Sequence, residues 1–356
     1  MQPLGQYPNP SHTIAHVSDT HLLAGGKLQY GVVDTVQHLE IALDRLGRLD
    51  PAPQALVFTG DLADRGEPEA YRQLREMVEP FAERIGAQVV WCMGNHDDRA
   101  AYARALYDAD VSPDVLDRVH DVDGLRIVSL DTSVSGYHHG EISDAQYEWL
   151  ASVLAEPAPH GTFLAMHHPP IPVPMLPAAA IIELDDQPRL AEALAGTDVR
   201  MILGGHFHYS SYSTFAGIPV SVASATCYLS DIAPKDRFIS AIDAEQSVNM
   251  VHVYGDAVVT SVVPTHDSAE ISGYGIDVAP LVEALSFEER RETRLRSSMS
   301  VTIWPAACLV TPRRVASSLT VRDCSSRARN TYPSARPSPS RPARSRSSRS
   351  STTKAW

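Results

Sequence analysis

Along residues 13–263 the chain repeats one pattern: a short apolar, β-branched run, then an amphipathic stretch, then another run. Such runs, bounded by turn residues, read as buried strands. They fall at 13–18, 55–59, 88–93, 125–130, 162–166, 199–203, 218–223, 251–254 and 257–263. Helical spacing lies between them. Tyr71, Leu74, Val78, Phe81 and Ile85 form one apolar face, with a kink expected at Pro80. Val33, Val36, Leu39, Leu43 and Leu46 form another. Ser143 and Gln146 are spaced as a capping box ahead of Tyr147, Leu150 and Leu154. Strands alternating with helices can bury their apolar faces only in layers, so the pattern predicts a layered α/β domain.

Five of the runs end in a polar motif. In order these are Asp19-Thr20-His21, Gly60-Asp61, Gly94-Asn95-His96-Asp97, His167-His168 and Gly205-His206-Phe207-His208. Loops at the carboxyl ends of strands in an α/β sheet share one edge, which is where ligands gather. Asp19, His21, Asp61, Asn95, His167, His206 and His208 therefore form one candidate ligand set. Imidazole, carboxylate and one amide oxygen suit Fe or Mn, and also Zn. Seven such groups fill two adjacent metal sites if Asp61 bridges them. Two cations about 3.5–4 Å apart clamp the oxygens of an in-line phosphoryl displacement and make hydroxide available near neutral pH. That is the requirement of a phosphoesterase. His96 has a separate task, since an imidazole of near-neutral pKa beside the ligands can protonate a departing oxygen. Only one of the adjacent histidines 167 and 168 can readily face the same metal. His167 is taken as the ligand and His168 as a residue that orients it.

Composition bounds the partners. Net charge is -13, yet residues 297–356 carry eleven Lys and Arg against a single acid, Asp323. The acidic body argues against nucleic acid as a partner of residues 12–265, because phosphate backbones need a basic surface. The 297–356 stretch, rich in Ser, Arg and Pro, cannot bury enough apolar surface to offset chain entropy. It reads as a disordered basic tail with weak attraction for a membrane surface, or as out-of-frame translation. Residues 1–11 read as an extension and 266–296 as a segment with a helix. Cys92, Cys227, Cys308 and Cys324 show no paired spacing, and there is neither a signal sequence nor a long apolar run. The expected location is the cytoplasm.

The five motifs in this order resemble the calcineurin-like metallophosphoesterase superfamily, over about residues 12–265. The flanking text is similar to its bacterial class III cyclic-nucleotide phosphodiesterases, especially the mycobacterial type. The matching stretches are His16-Val17-Ser18-Asp19, Val57-Phe58-Thr59-Gly60-Asp61, Asp131-Thr132-Ser133, His139-Gly140-Glu141-Ile142 and His167-His168-Pro169-Pro170. The resemblance implies two mixed β-sheets packed face to face with helices outside, a four-layer sandwich. It implies one metal held by Asp19, His21, Asp61 and His208 and a second by Asp61, Asn95, His167 and His206. It also implies hydrolysis of 3',5'-cyclic AMP, and of cyclic GMP, by metal-bound hydroxide with His96 as general acid, and a homodimer. Asn95, His96, His139 and His208 are candidate substrate contacts. The alternatives are broader activity on 2',3'-cyclic nucleotides or other phosphate esters, and a non-catalytic binding module of the same fold. Arg65 reads as a solvated charge. The apolar 169–182 stretch reads as a nucleobase slot, or as a loop packed on the core or on a second subunit.

Overall fold

The computed structural model describes residues 7–109, 115–273, 275–278, 280 and 284–285. Its strands are β1 (His12–Val17), β2 (Ala55–Thr59), β3 (Gln88–Cys92), β4 (Arg118–Val122), β5 (Leu125–Leu130), β6 (Thr162–Met166) and β7 (Val199–Gly204). They continue as β8 (Ser211–Phe215), β9 (Ile218–Val222), β10 (Leu229–Ser230), β11 (Ala241–Ile242), β12 (Ser247–Val253) and β13 (Val258–Pro264). The helices are α1 (Thr35–Leu46), α2 (Pro68–Ile85), α3 (Arg99–Tyr107), α4 (Asp144–Leu154) and α5 (Gln187–Leu194).

Two mixed sheets carry the fold. One has the order β13-β12-β1-β2-β3 and the other β4-β5-β6-β7-β9-β8. In the first, β1, β2 and β3 run parallel and β12 and β13 continue the sheet antiparallel on the β1 side; in the second, β5, β6, β7 and β9 run parallel between antiparallel margins β4 and β8. Successive side chains of a strand face opposite sides, so each strand serves two cores. On β2, Ala55 and Val57 join Ile14, Val90, Phe163, Ala165, Met201 and Leu203 in a core shared by both sheets. The alternate residues Leu56 and Phe58 pack with α1, α2 and α3 on the outer face. On β6, Leu164 and Met166 face α4 and α5 in the same way. This is the expected four-layer arrangement of two mixed sheets flanked by helices.

Local signals account for the helix ends. Asp34 accepts from the Gln37 N–H at the start of α1, and Ser143 with Gln146 forms a complete capping box on α4. Helix α2 ends at Gly86 in the left-handed conformation and continues through Pro80 without a break. Four strands have no counterpart among the sequence runs: the two-residue pair β10 and β11, and the longer β4 and β8. β4 and β8 are the outer strands of their sheet, half-exposed and rich in polar residues, so neither makes an apolar run. β12 begins at Ser247, ahead of the apolar run at 251–254, and holds Asn249 buried inside it, satisfied by Ser221 Oγ at 3.1 Å and the Val222 carbonyl at 3.3 Å.

The chain divides into two units, residues 1–271 and 272–356. In the second, a short 3-10 turn at Ile276–Val278 is described. Of the 266–296 segment, Tyr274, Ala279 and residues 281–283 and 286–296 lie outside the described residues, as does the whole basic 297–356 stretch. Among the described residues no helix is long and apolar enough to cross a membrane, and Cys92 and Cys227 are free thiols.

Two outcomes follow from the core. Phe163 is fully buried between the sheets. Phe163→Ala should cost about 3–5 kcal/mol in urea unfolding of the whole protein. His16, also fully buried, shares a hydrogen bond of 2.9 Å with Thr59 Oγ1, and burial pushes its pKa from 6.5 to about 3. Below pH 6.5 the unfolded chain takes up a proton that folded His16 refuses, so its contribution is complete above that pH and shrinks as pH falls toward 3. His16→Gln should show a shallower loss of stability between pH 6.5 and 4.5 than the parent, measured by urea midpoints; parallel curves would refute this.

Candidate metal centre

The five motifs leave the ends of β1, β2, β3, β6 and β7, where the two sheets meet. Tight local turns aim their side chains inward. Asp19, His21, Asp61, His206 and His208 all have positive φ, between 44° and 73°. L-residues rarely adopt this region, and each such position costs on the order of 1 kcal/mol or more unless its surroundings hold it. Glycine makes the close approach feasible: a Cβ on Gly60 would sit 2.5 Å from His167 Nδ1, and one on Gly94 would strike Asp61. Asp97 ties two of the loops together, accepting from Gly94 N–H at 2.9 Å, Ala63 N–H at 3.0 Å and Tyr71 Oη at 2.9 Å. The last motif residue Asp97 is thus scaffold.

The histidine rings are oriented by what their outer nitrogens touch. His167 Nδ1 donates to the Thr59 carbonyl at 2.7 Å, His206 Nε2 to the Ile182 carbonyl at 3.0 Å and His208 Nδ1 to the Tyr228 carbonyl at 3.2 Å. A carbonyl can only accept, so each of these nitrogens carries the proton and the opposite nitrogen presents a lone pair. His21 Nδ1 meets Asp64 Oδ1 at 3.1 Å in the same sense. The inward atoms converge. Asp61 Oδ2 lies 3.4 Å from His21 Nε2 and 3.3 Å from His167 Nε2, and His208 Nε2 lies 3.4 Å from Asp19 Oδ1. His167 Nε2 also faces Asn95 Oδ1 at 3.1 Å and His206 Nδ1 at 3.2 Å. Asp19 Oδ1 and His21 Nε2 are buried without a hydrogen-bond partner. Acceptor atoms turned toward one another at this spacing repel unless a cation lies among them. The donor set fits divalent metal ions.

Charge gives the same answer. Asp19 and Asp61 are buried, and among the described residues neither is ion-paired with lysine or arginine. Burial works to raise Asp61, but His167, His96 and His21 together hold it well below the usual carboxylate range. Burial likewise opposes a charged His167, yet Asp61 and Asp19 push its pKa up to about 9. The carboxylates demand positive charge, and imidazole protons answer that demand where a metal otherwise would. His206 and His208 are held neutral by burial, the protonation state a ligand needs.

Asp19, His21, Asp61 and His208 fall within ligand distance of one another, as do His167, His168 and His206. His168 has both nitrogens engaged, Nδ1 with Thr132 Oγ1 at 2.8 Å and Nε2 with the His138 carbonyl at 3.2 Å. Gly140 presses against its ring, so Thr132 and Gly140 cradle it. His96 accompanies the cluster: its backbone N–H donates to Asp61 Oδ1 at 2.8 Å and Nδ1 to the Asp64 carbonyl at 2.8 Å. His139 is not brought to the centre; its Nε2 contacts Glu141 Oε1 at 2.9 Å. Its neighbour His138 is, with Nδ1 accepting from Asn95 Nδ2 at 2.9 Å. In the 169–182 stretch Ile171, Val173, Leu176 and Ala179 are buried in the outer core, so it packs on the domain. Three nearby residues stand outside the candidate ligand set. Asp64 orients His21, the Tyr228 ring lies 4.4 Å from that of His208, and the Cys227 thiol is 3.6 Å from His208 Nδ1. Burial pushes that thiol well above its ordinary pKa, so it stays protonated.

Comparison with known proteins agrees with this geometry. Residues 12–210 match the family model for calcineurin-like phosphoesterases. A cAMP/cGMP dual specificity phosphodiesterase of Mycobacterium tuberculosis is 54% identical over 259 residues, 73% of this chain and 81% of that protein. A probable cyclic nucleotide phosphodiesterase of Rhodococcus erythropolis is 51% identical over 73% of this chain and 85% of its own length. A dimetal phosphatase from Danio rerio, 14% identical, aligns with a TM-score of 0.52 over 73% of this chain and 98% of its own, a likeness of fold alone. The chain belongs to the calcineurin-like phosphoesterase family.

Proposed function

We propose that the chain is a two-metal phosphodiesterase that opens the 3',5'-cyclic phosphate of cyclic AMP and cyclic GMP to give the 5'-nucleotide. The observation that carries the two-metal reading is Asp61 Oδ2, placed between His21 Nε2 and His167 Nε2 at 3.4 and 3.3 Å, a bridging position. Asp19, His21, Asp61 and His208 would hold one ion, and Asp61, Asn95, His167 and His206 the other. Iron and manganese suit this donor set, with zinc as a further candidate. When bound, such a pair supplies Lewis acidity toward the phosphate and a water that ionises near neutral pH. The substrate assignment is supported by the 54% identical relative, named for activity on both cyclic nucleotides.

The chain's own contribution is positional. The Thr59, Ile182 and Tyr228 carbonyls and the Asp64 carboxylate fix four imidazoles by their outer nitrogens, which aims the opposite nitrogens at the centre. His138 holds the Asn95 amide nitrogen, so its oxygen faces the centre. His96 donates from Nδ1 to the Asp64 carbonyl, which leaves Nε2 as the atom that carries a proton to the departing ribose 3' oxygen. His96 and Asn95 also stand where they can meet the phosphate.

Turnover of cyclic AMP, cyclic GMP, 2',3'-cyclic AMP and an aryl phosphodiester, with manganese or iron supplied and a chelator control, tests this function. Preference for the 3',5' compounds supports it, and turnover confined to the other two rejects it. Asn95→Ala should lose one of two bound ions by metal analysis and roughly 10²-fold or more of kcat. Full metal content with full activity in that variant would end the ligand assignment. His96→Ala should keep both ions and lose about 10²- to 10⁴-fold on esters with alkoxide leaving groups, far less on nitrophenyl esters. Equal slowing of both ester types would remove the general-acid role.

A further inference from the structure

Next to the centre a cleft of about 530 Å³ opens between the loops that follow β3 and β5. Asn95, His96 and Arg65 line it together with Arg99, Ser133 and Ser135. We propose that this cleft is the subsite for the nucleoside of the substrate, with Arg65 as the side chain that meets the base. The proposal rests on the reading of the chain as a cyclic-nucleotide phosphodiesterase.

Connectivity of the substrate leads to the cleft. The oxygen that leaves phosphorus is a ribose oxygen, so the sugar must lie against the residue that protonates it. His96 belongs both to the centre, its ring 4.7 Å from that of His21, and to the cleft lining. The sugar and base therefore extend from the His96 side. The volume is in the range that takes small organic ligands, about 300–1,000 Å³. On the other sides the Ile182 carbonyl meets the outer nitrogen of His206, and the Tyr228 ring packs on His208.

The two arginines of the cleft differ in freedom. Arg99 is committed, with Nε on Asp131 Oδ2 at 2.8 Å and Nη2 on the Ser133 carbonyl at 2.5 Å, and so it fixes the Ser133 wall. Arg65 is 66% exposed, and its ion pair among the described residues is a loose one with Asp64 Oδ2 at 3.6 Å. That carboxylate is already engaged by His21 and Gln29 through its other oxygen. The Arg65 guanidinium is thus free to lie flat on a purine, an interaction in which lysine is a poor substitute. A planar cation reads the face of a base and leaves its edge unread, so adenine and guanine are accepted alike.

The test compares kcat/KM for cyclic AMP, cyclic GMP and bis(p-nitrophenyl) phosphate in the metal-loaded protein and four variants. Arg65→Ala should lower the ratio of either cyclic nucleotide to the aryl diester about tenfold, mainly through KM. Arg65→Lys should recover little of this, and Ser135→Trp, on the exposed wall of the cleft, should lower the ratio further. Tyr30→Ala alters the aromatic pair that Tyr30 makes with Tyr228 and should leave the ratio as it is. An unchanged ratio in both Arg65→Ala and Ser135→Trp overturns the subsite. So does equal loss on all three substrates, which would place Arg65 on the phosphate, or a fall confined to Tyr30→Ala. A parent protein that cleaves the aryl diester and neither cyclic nucleotide overturns the functional reading itself, and the nucleoside assignment with it.

Discussion

The hydrogen bond from an outer imidazole nitrogen to a main-chain carbonyl is the interaction on which the centre depends. Thr59, Ile182 and Tyr228 provide those carbonyls for His167, His206 and His208. Thr59 ends β2 and Tyr228 directly precedes β10, so most of this orientation is inherited from sheet geometry. An imidazole with one nitrogen pinned in this way has a single lone pair left, and its direction is that of the strand end. Backbone strain follows from the same requirement: five inward-facing residues occupy the left-handed region, because an extended exit from the strand would carry their side chains past the centre.

Buried negative charge is the second constraint. Asp19 and Asp61 lie in the angle between two apolar sheets, where an uncompensated carboxylate is unfavourable by several kcal/mol. The fold offers them imidazoles and backbone N–H groups and withholds arginine and lysine among the described residues. His206 N–H donates to Asp19 Oδ2 at 3.1 Å and His96 N–H to Asp61 Oδ1 at 2.8 Å, which leaves the other oxygens directed at the histidine nitrogens. The result is a cluster whose two carboxylates draw positive charge inward, from imidazole protons or from bound cations.

Around that cluster a further ring of side chains sets the supporting contacts. His138 orients Asn95, Thr132 and Gly140 confine His168, and Asp97 fastens the loops after β2 and β3 to each other. The acidic body with its exposed Arg65 beside His96 is consistent with a centre that handles phosphate through metals and uses a nearby side-chain cation for the organic part of the substrate.

Much of this was legible in the sequence, for a physical reason. Buried parallel strands must be apolar on both faces, so β2, β5 and β6 stand out as runs whose limits match the observed strands, and the motif order follows the order of strand ends. The outer strands β4 and β8 do not, since a half-exposed strand needs no such run. Between the adjacent histidines 138 and 139 residue type offers no choice. His139 carried the expectation, while the chain turns His138 toward Asn95 and points His139 at Glu141. The amino acids by themselves determined the layered α/β class, the seven candidate ligands and the separate status of His96, because these depend on residue type and spacing along one strand and its loop. Only the tertiary structure decided which nitrogen of each ring faces inward, which of two neighbouring histidines serves, and where Arg65 lies. Those depend on carbonyls and side chains as far as 108 residues away in the chain, brought close when the two sheets pack.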